Sequence, residues 1–178
     1  MSCEYCQIVN GKSSNAEIIY EDEQVLVVVK DTAVTPGQIT IFPKEHYTIL
    51  EIVPDEIMNK CVQLANKIGI AVFESLGAQG TNIIVQNGTG AGQKVPHFAI
   101  EVVPRREGDG LNFEWKAQQL MDDEMDTVHL MLKEEGERLV IGQKKEKKVA
   151  SINDEETKKI ISEKGKDNYL LKSQKRIP

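Results

Sequence analysis

The chain has 178 residues, of which 40% are hydrophobic and 28% are charged, and its formal net charge is −6. This length and composition are typical of one globular domain with an appendage, and no apolar run approaches the roughly 20 residues of a membrane span. No secretory signal is visible at the N-terminus, and three cysteines fit a reducing compartment better than a disulfide framework. We therefore expect a cytoplasmic protein.

Charge is distributed unevenly along the chain. Residues 1–142 carry 11 Lys and Arg against 22 Asp and Glu, whereas residues 143–178 carry 11 against 6. The acidic body argues against nucleic-acid binding through the domain itself. The basic tail remains a candidate for contact with RNA, with a phosphate-rich partner or with the acidic body. The plainer interpretation, a solvated or self-docking tail, is the one we favour.

Three short strands are predicted in the first third of the chain. EIIYE (17–21) and QVLVVVK (24–30) are rich in β-branched residues and are joined by a tight acidic turn. A loop over 31–37 then leads to QITIFP (38–43), in which Ile39 and Ile41 lie on one face.

A long helix is predicted over residues 54–76. Pro54 is placed at its start, with two acidic residues in the first turn. Apolar residues recur at helical spacing from Ile57 to Val72, and Gly77 ends the helix.

The remaining elements complete an α+β protein. Strands are predicted over 81–87 and 97–104, separated by the Gly-rich loop 88–92, and further helices over 116–135 and 154–164. The fold class is therefore a largely antiparallel sheet of about five strands with one main helix and a C-terminal helical extension. Its parts are a domain over 1–115, a helical segment over 116–142 and a basic tail or docking segment over 143–178.

Two cysteines and two histidines form a candidate metal site. Cys3 and Cys6 make a Cys-x-x-Cys pair, and His46 and His97 are two of only three histidines in the chain. Two thiolates and two imidazoles are a ligand set for tetrahedral zinc. We predict one structural zinc per chain, which would hold an N-terminal segment that is too short and polar to dock by burial alone.

Each part of this set has a simpler interpretation when it is taken alone. A Cys-x-x-Cys pair also occurs in redox dithiols and by chance. His46 follows a predicted strand end and is equally typical of a surface residue. Only the four residues together complete a zinc coordination sphere.

Several segments resemble the histidine-triad (HIT) superfamily of nucleotide-binding hydrolases and transferases, in order and over about two-thirds of the chain. The segments are CEYCQIVNG (3–11), YEDEQVLVVVKD (20–31), PGQITIFPKEH (36–46) and NGTGAGQKVPHFAIEVVPR (87–105). The resemblance implies a HIT-like fold of the zinc-bearing branch, with the same four metal ligands. It implies a homodimer through helix 54–76 and strand 81–87, and a nucleotide or phosphorylated metabolite as ligand. The nucleotide-binding residues that it implies are Asp31, Asn87, Gly92 and Gln93.

The triad that names this family is degenerate in the chain. Side chains alternate along a strand, so positions 97, 99 and 101 of His97-Phe98-Ala99-Ile100-Glu101 share one face. In the family the middle histidine of this face attacks the α-phosphate and forms a covalent nucleotidyl-imidazole. Ala99 has no lone pair for that attack. An ionised Glu101 would also repel a phosphate unless a proton, Mg²⁺ or a cation such as Lys44, Lys94 or Arg105 intervened.

Three hypotheses of function follow, in order of preference. The first is a HIT-like protein that binds a nucleotide and is impaired or inactive as a hydrolase or transferase. The second is a nucleotide phosphohydrolase in which Glu101 serves as general base for water, with or without a metal. The third is a dimeric scaffold that acts through its C-terminal extension. The sequence leaves open whether the protein is an enzyme.

Overall fold

Five antiparallel strands form one sheet in the order β1-β2-β3-β5-β4. The structure is a computed structural model, and it describes residues 3–136. The strands are β1 (Ala16–Glu21), β2 (Val25–Lys30), β3 (Ile39–Pro43), β4 (Gly80–Ile84) and β5 (Ile100–Arg105). Three α-helices accompany them within the described residues: α1 (Glu4–Val9), α2 (Asp55–Leu76) and α3 (Asp122–Gly136). This architecture confirms the predicted α+β class.

The two faces of the sheet carry separate hydrophobic clusters. Side chains alternate along β2, so Val25 and Val27 join the cluster under α2, whereas Leu26 and Val28 join the cluster under α1. Ile39 and Ile41 lie together in the α2 cluster, as predicted. The α1 face of the sheet is the face that carries the candidate site.

Helix α2 agrees with its predicted bounds because both ends carry strong signals. Pro54 is the N-cap residue, and Gly77 closes the helix in the left-handed conformation at φ 64°. The buried side includes Ile57, Cys61 and Val72, which follow the spacing in the sequence.

Strand β5 starts three residues later than predicted. Residues 95–97 form a bend in which the His97 amide donates to the Val95 carbonyl at 2.8 Å. Strand β4 is also shorter than predicted, because it ends at Ile84 rather than at residue 87. The short helix α1 has no counterpart among the predicted elements.

The described chain divides into two compact units after Asp109. The second unit contains α3, which begins at Asp122 rather than at the predicted residue 116. The predicted domain boundary at residue 115 stays a prediction. The basic tail over 143–178 and the predicted helix over 154–164 lie outside the described residues. No helix within residues 3–136 combines the length and the apolar character that crossing a membrane requires.

Candidate functional site

The four predicted metal ligands converge from three parts of the chain. Cys3 and Cys6 lie at α1, His46 follows β3, and His97 lies in the bend before β5. Their potential ligand atoms all lie within 4.8 Å of one another. The structure thus brings together residues that are up to 94 positions apart.

The distances within this cluster fit a tetrahedral ion. Cys3 Sγ lies 3.4 Å from His97 Nδ1, and Cys6 Sγ lies 3.2 Å from His46 Nδ1 and 3.7 Å from His97 Nδ1. Bonds of about 2.3 Å to sulfur and about 2.0 Å to nitrogen place two tetrahedral ligands roughly 3.5 Å apart. The residues present therefore fit a zinc ion.

His97 is oriented for a ligand role by its second ring nitrogen. Its Nε2 lies 2.9 Å from the Pro43 carbonyl oxygen, which requires the N–H on that nitrogen and leaves Nδ1 with its lone pair toward the cysteines. The side chain is 2% exposed, and burial lowers its pKa, so the neutral ring that a metal requires is favoured.

The protonation of the Cys6 thiol depends on whether a cation is bound. Burial and the neighbouring Cys3 raise the pKa of the Cys6 thiol. A divalent ion reverses this effect because it stabilises the thiolate directly. The donor set is thus compatible with a divalent cation at its centre.

A cavity of about 590 Å³ opens beside the four candidate metal ligands, on the α1 face of the sheet. Its lining includes His97, Ala99 and Glu101, which confirms that these three positions face one space. Ala99 places a methyl group there, with no atom that can act as a nucleophile.

Glu101 is fixed on β5 by hydrogen bonds from the neighbouring strand and loop. Its Oε2 accepts from Gln38 Nε2 at 2.8 Å and from Thr40 Oγ1 at 2.9 Å. Its Oε1 has a longer contact of 3.4 Å from the Tyr5 hydroxyl. One carboxylate oxygen is therefore saturated, and the other faces Tyr5 and the cavity.

Tyr5 contributes a further pocket wall. Burial, followed by the nearby Glu101 carboxylate, raises the pKa of its phenol well above the ordinary value, so the hydroxyl stays protonated and donates. The ammonium of Lys30 lies 5.2 Å from the centre of the Tyr5 ring.

Of the cations considered as partners for a bound phosphate, Lys94 lines the cavity. Lys44 instead pairs with Glu21 at 2.5 Å, and Arg105 pairs with Asp109 at 2.7 Å. Lys30, which the sequence did not single out, also lines the cavity. The cavity wall therefore mixes both signs of charge.

The predicted nucleotide-binding residues fall into two groups. Asp31 and Gln93 line the cavity, whereas Asn87 and Gly92 are not among its lining residues. The Asn87 side chain accepts from the Leu50 amide at 2.9 Å and donates to Glu51 at 2.7 Å. These four assignments stay predictions.

Gln93 holds the Gly-rich loop in place. Its Oε1 accepts from the Gly88 amide at 2.7 Å, and its Nε2 donates to the Thr48 carbonyl at 2.7 Å and to the Val95 carbonyl at 2.9 Å. Its side-chain amide is thus engaged within the protein. This geometry favours a role in shaping the loop.

Sequence reasoning missed Tyr5, Gln38 and Thr40. Thr40 lies opposite Glu101 in the β3–β5 register, which the residues alone do not disclose. Tyr5 stands between two predicted ligands, and that position was the available signal for its proximity to the site.

Comparison with known proteins identifies similar chains in all three domains of life. An uncharacterized HIT-like protein of Methanocaldococcus jannaschii is 36% identical over 61% of this chain and 82% of its own length. An adenylylsulfatase of Arabidopsis thaliana is 31% identical over 66% of this chain, which spans 58% of that protein. The Bacillus subtilis protein hit is 33% identical over 65% of this chain and 79% of its own length.

Solved structures show the same architecture. A HIT family protein of Bacillus subtilis matches with a TM-score of 0.68 and 27% identity, covering 80% of this chain and 100% of that one. A zinc-bound histidine triad family protein of Mycobacterium smegmatis matches with a TM-score of 0.59 and 32% identity, covering 78% and 99%. The HIT domain model matches residues 12–108, more than half of the chain. The chain therefore belongs to the HIT domain family.

Proposed function

We propose that this protein binds a nucleotide or a related phosphorylated metabolite in the 590 Å³ cavity without covalent chemistry. The observation that carries the proposal is Ala99, which lines the cavity at the position of the family's nucleophile. Without that imidazole no nucleotidyl-protein intermediate forms at position 99. The protein is then a sensor, carrier or partner rather than a covalent nucleotidyl hydrolase or transferase.

Two lysines and several polar groups of the cavity lining support a phosphorylated ligand, against three carboxylates in the same lining, Glu4, Asp31 and Glu101. Lys30 and Lys94 supply positive charge, and polar side chains such as Asn15 and Gln86 supply hydrogen-bonding groups. The adenylylsulfatase name of the Arabidopsis thaliana relative also indicates a nucleotide ligand.

Calorimetry tests this proposal. The full chain is titrated with AMP, GMP and UMP, together with the variants Lys94→Ala and Lys67→Ala. Lys94 lines the cavity, whereas Lys67 is an exposed residue of α2 outside it. We expect at least one nucleotide to bind, and only Lys94→Ala to weaken it. Equal weakening by both variants would place the ligand elsewhere, and no binding by any nucleotide would refute the proposal.

We further propose that the metal is one structural zinc per chain, held by Cys3, Cys6, His46 and His97. All four ligand positions are filled by protein, which is typical of a closed structural site rather than a catalytic one. When bound, the ion links α1 to the sheet. Elemental analysis of protein purified without chelator tests this, and protein that contains no transition metal would refute it.

The Oε1 atom of Glu101 favours a second function, the hydrolysis of a phosphate ester. Its Oε1 has only the long Tyr5 contact among the described residues, so it can accept a proton from water. Direct attack by that water on a phosphate ester would need no nucleophile at position 99. Turnover that stops in Glu101→Gln would support this alternative over binding alone.

We also propose a cytoplasmic homodimer. Strand β4 is an edge strand, and Ile83 on it is 53% exposed, while Val62 on α2 is 54% exposed. Exposed apolar residues beside an unpaired strand are typical of an interface. Cysteines that bind zinc in place of forming disulfides, as proposed for Cys3 and Cys6, are consistent with a reducing compartment.

A further inference from the structure

The segment at helix α1 contributes residues both to the candidate metal site and to the lining of the cavity. Cys3 and Cys6 are metal ligands, and the two residues between them, Glu4 and Tyr5, line the cavity. Four consecutive residues are therefore divided between two sites. Any change that moves these cysteines also moves a wall of the cavity.

Tyr5 contacts both a candidate metal ligand and a residue of the cavity lining. Its ring stacks on Phe42 with centroids 4.5 Å apart and meets the His97 ring edge-on at 5.6 Å. Its hydroxyl reaches Glu101 Oε1 at 3.4 Å. The side chain is 5% exposed and contacts both His97 and Glu101.

Helix α1 is held on the sheet by a small hydrophobic cluster, to which metal coordination by Cys3 and Cys6 would add a further restraint. The helix has six residues, and only Tyr5 and Ile8 are buried. A helix this short is not stable by itself in water, and a terminal segment stays in place only when it is tied down. A metal ion held by Cys3 and Cys6 would restrain Tyr5 further, in addition to its packing on Phe42.

We propose that the metal centre positions Tyr5 as a wall of the cavity, so that metal binding and ligand binding are thermodynamically coupled. Tyr5 then contacts the ligand only in the metal-loaded protein. Linkage requires the effect to be reciprocal, so a bound ligand also tightens metal binding. This inference rests on the proposed metal site and on the proposed ligand cavity. It makes Tyr5 a ligand-contacting residue whose position depends on the metal.

Fluorine NMR of the full chain labelled with 3-fluorotyrosine tests the positioning without any ligand. The Tyr5 resonance is assigned by its loss in Tyr5→Phe, and exposed Tyr20 provides the reference for a solvated ring. After metal removal by a chelator, we expect the Tyr5 resonance to move to the solvated position. Buried Cys61, on the α2 face, reports on the rest of the fold and should stay unreactive toward maleimide.

Two outcomes of this experiment would overturn the proposal. If the Tyr5 resonance keeps its position in protein shown to be metal-free, the metal does not place this side chain. If Cys61 becomes reactive at the same time as Tyr5 moves, the metal holds the whole domain rather than one wall. A shift of Tyr5 with Cys61 protected supports the proposal.

Calorimetry with AMP then tests the coupling. We expect metal removal to weaken AMP binding by about fivefold or more, the usual lower range for coupled sites. In the loaded protein Tyr5→Phe should weaken AMP binding, and in the metal-free protein it should have no effect. The control is Tyr47→Phe, whose hydroxyl bonds Glu45 at 2.7 Å outside the cavity.

The outcomes of this titration separate the two proposals. An equal effect of Tyr5→Phe in both metal states would refute the coupling while leaving ligand binding intact. Failure of AMP to bind either form would contradict AMP as the ligand of the proposed function. The NMR result would then still decide whether the metal positions Tyr5.

Discussion

At the scale of single residues, Ala99 and Glu101 change the candidate site in different ways. Ala99 presents a methyl group to the cavity, at the position where the family resemblance implies a nucleophilic histidine. Glu101 adds a charge and also becomes the acceptor for Gln38 and Thr40. Ala99 bears on whether covalent catalysis can occur. Glu101 bears on the binding of the proposed ligand and on the stability of the sheet.

Restoring the two histidines tests the loss of chemistry. The double variant Ala99→His with Glu101→His should raise any residual phosphoramidase activity by roughly tens to thousands of fold, the scale of one installed catalytic group. Ala99→Ser is the control, because it adds a hydroxyl without a base. Activity of the wild type equal to that of the double variant would contradict the account.

Removing the Glu101 acceptor tests its structural part. Glu101→Ala should lower the free energy of unfolding by about 1–3 kcal/mol, because the buried Thr40 hydroxyl and the Gln38 amide lose their partner. Glu101→Gln keeps an acceptor oxygen and should cost less. Urea unfolding measures both, and equal losses would show that these hydrogen bonds contribute nothing.

At the scale of elements, the β1–β2 turn is tied to helix α2 through Asp22. Its Oδ1 accepts from the amides of Gln24 and Val25, both at 2.8 Å, and its Oδ2 pairs with Lys60 of α2 at 2.9 Å. Burial by itself would raise the pKa of Asp22, but the bond from Lys60 and the two amides outweigh it and hold the pKa well below its usual value.

This depressed pKa gives a pH dependence with a definite sign. The contribution of Asp22 to stability is complete above its unfolded-state pKa of about 4 and is lost as the pH falls toward its folded-state value. Asp22→Asn should therefore destabilise the protein at pH 7 by about 1–2 kcal/mol. The difference from wild type should shrink below pH 4 in urea unfolding. A difference that is constant from pH 7 to pH 3 would contradict this assignment.

The elements also show what the sequence predicts and what it does not. Helix α2 was predictable because 22 residues repeat one period between Pro54 and Gly77. Helix α1 was missed because six residues cannot establish a period. The four metal ligands were predictable from residue type, whereas Gln38 and Thr40 depend on strand register, which is a tertiary property.

At the scale of the whole molecule, the unpaired edge strand β4 favours a two-fold partner. Light scattering should give about twice the chain mass of 19.9 kDa, before and after removal of residues 143–178. Ile83→Glu on β4 should give monomers, whereas Ile18→Glu on the opposite edge strand β1 should not.

The assembly prediction has two contrary outcomes. A monomer at micromolar concentration in both forms would refute the homodimer. A monomer only after truncation would instead make residues 143–178 the dimerising segment.

The proposed function is nucleotide binding at a site with Ala99 in place of a nucleophile. Mass spectrometry of the full, metal-loaded chain incubated with adenosine 5′-phosphoramidate tests it most directly, with each sample measured under native and then under denaturing conditions. We expect a nucleotide complex in the native spectrum and the unmodified chain mass after denaturation. A nucleotidyl mass increment that survives denaturation would show covalent catalysis and contradict the account.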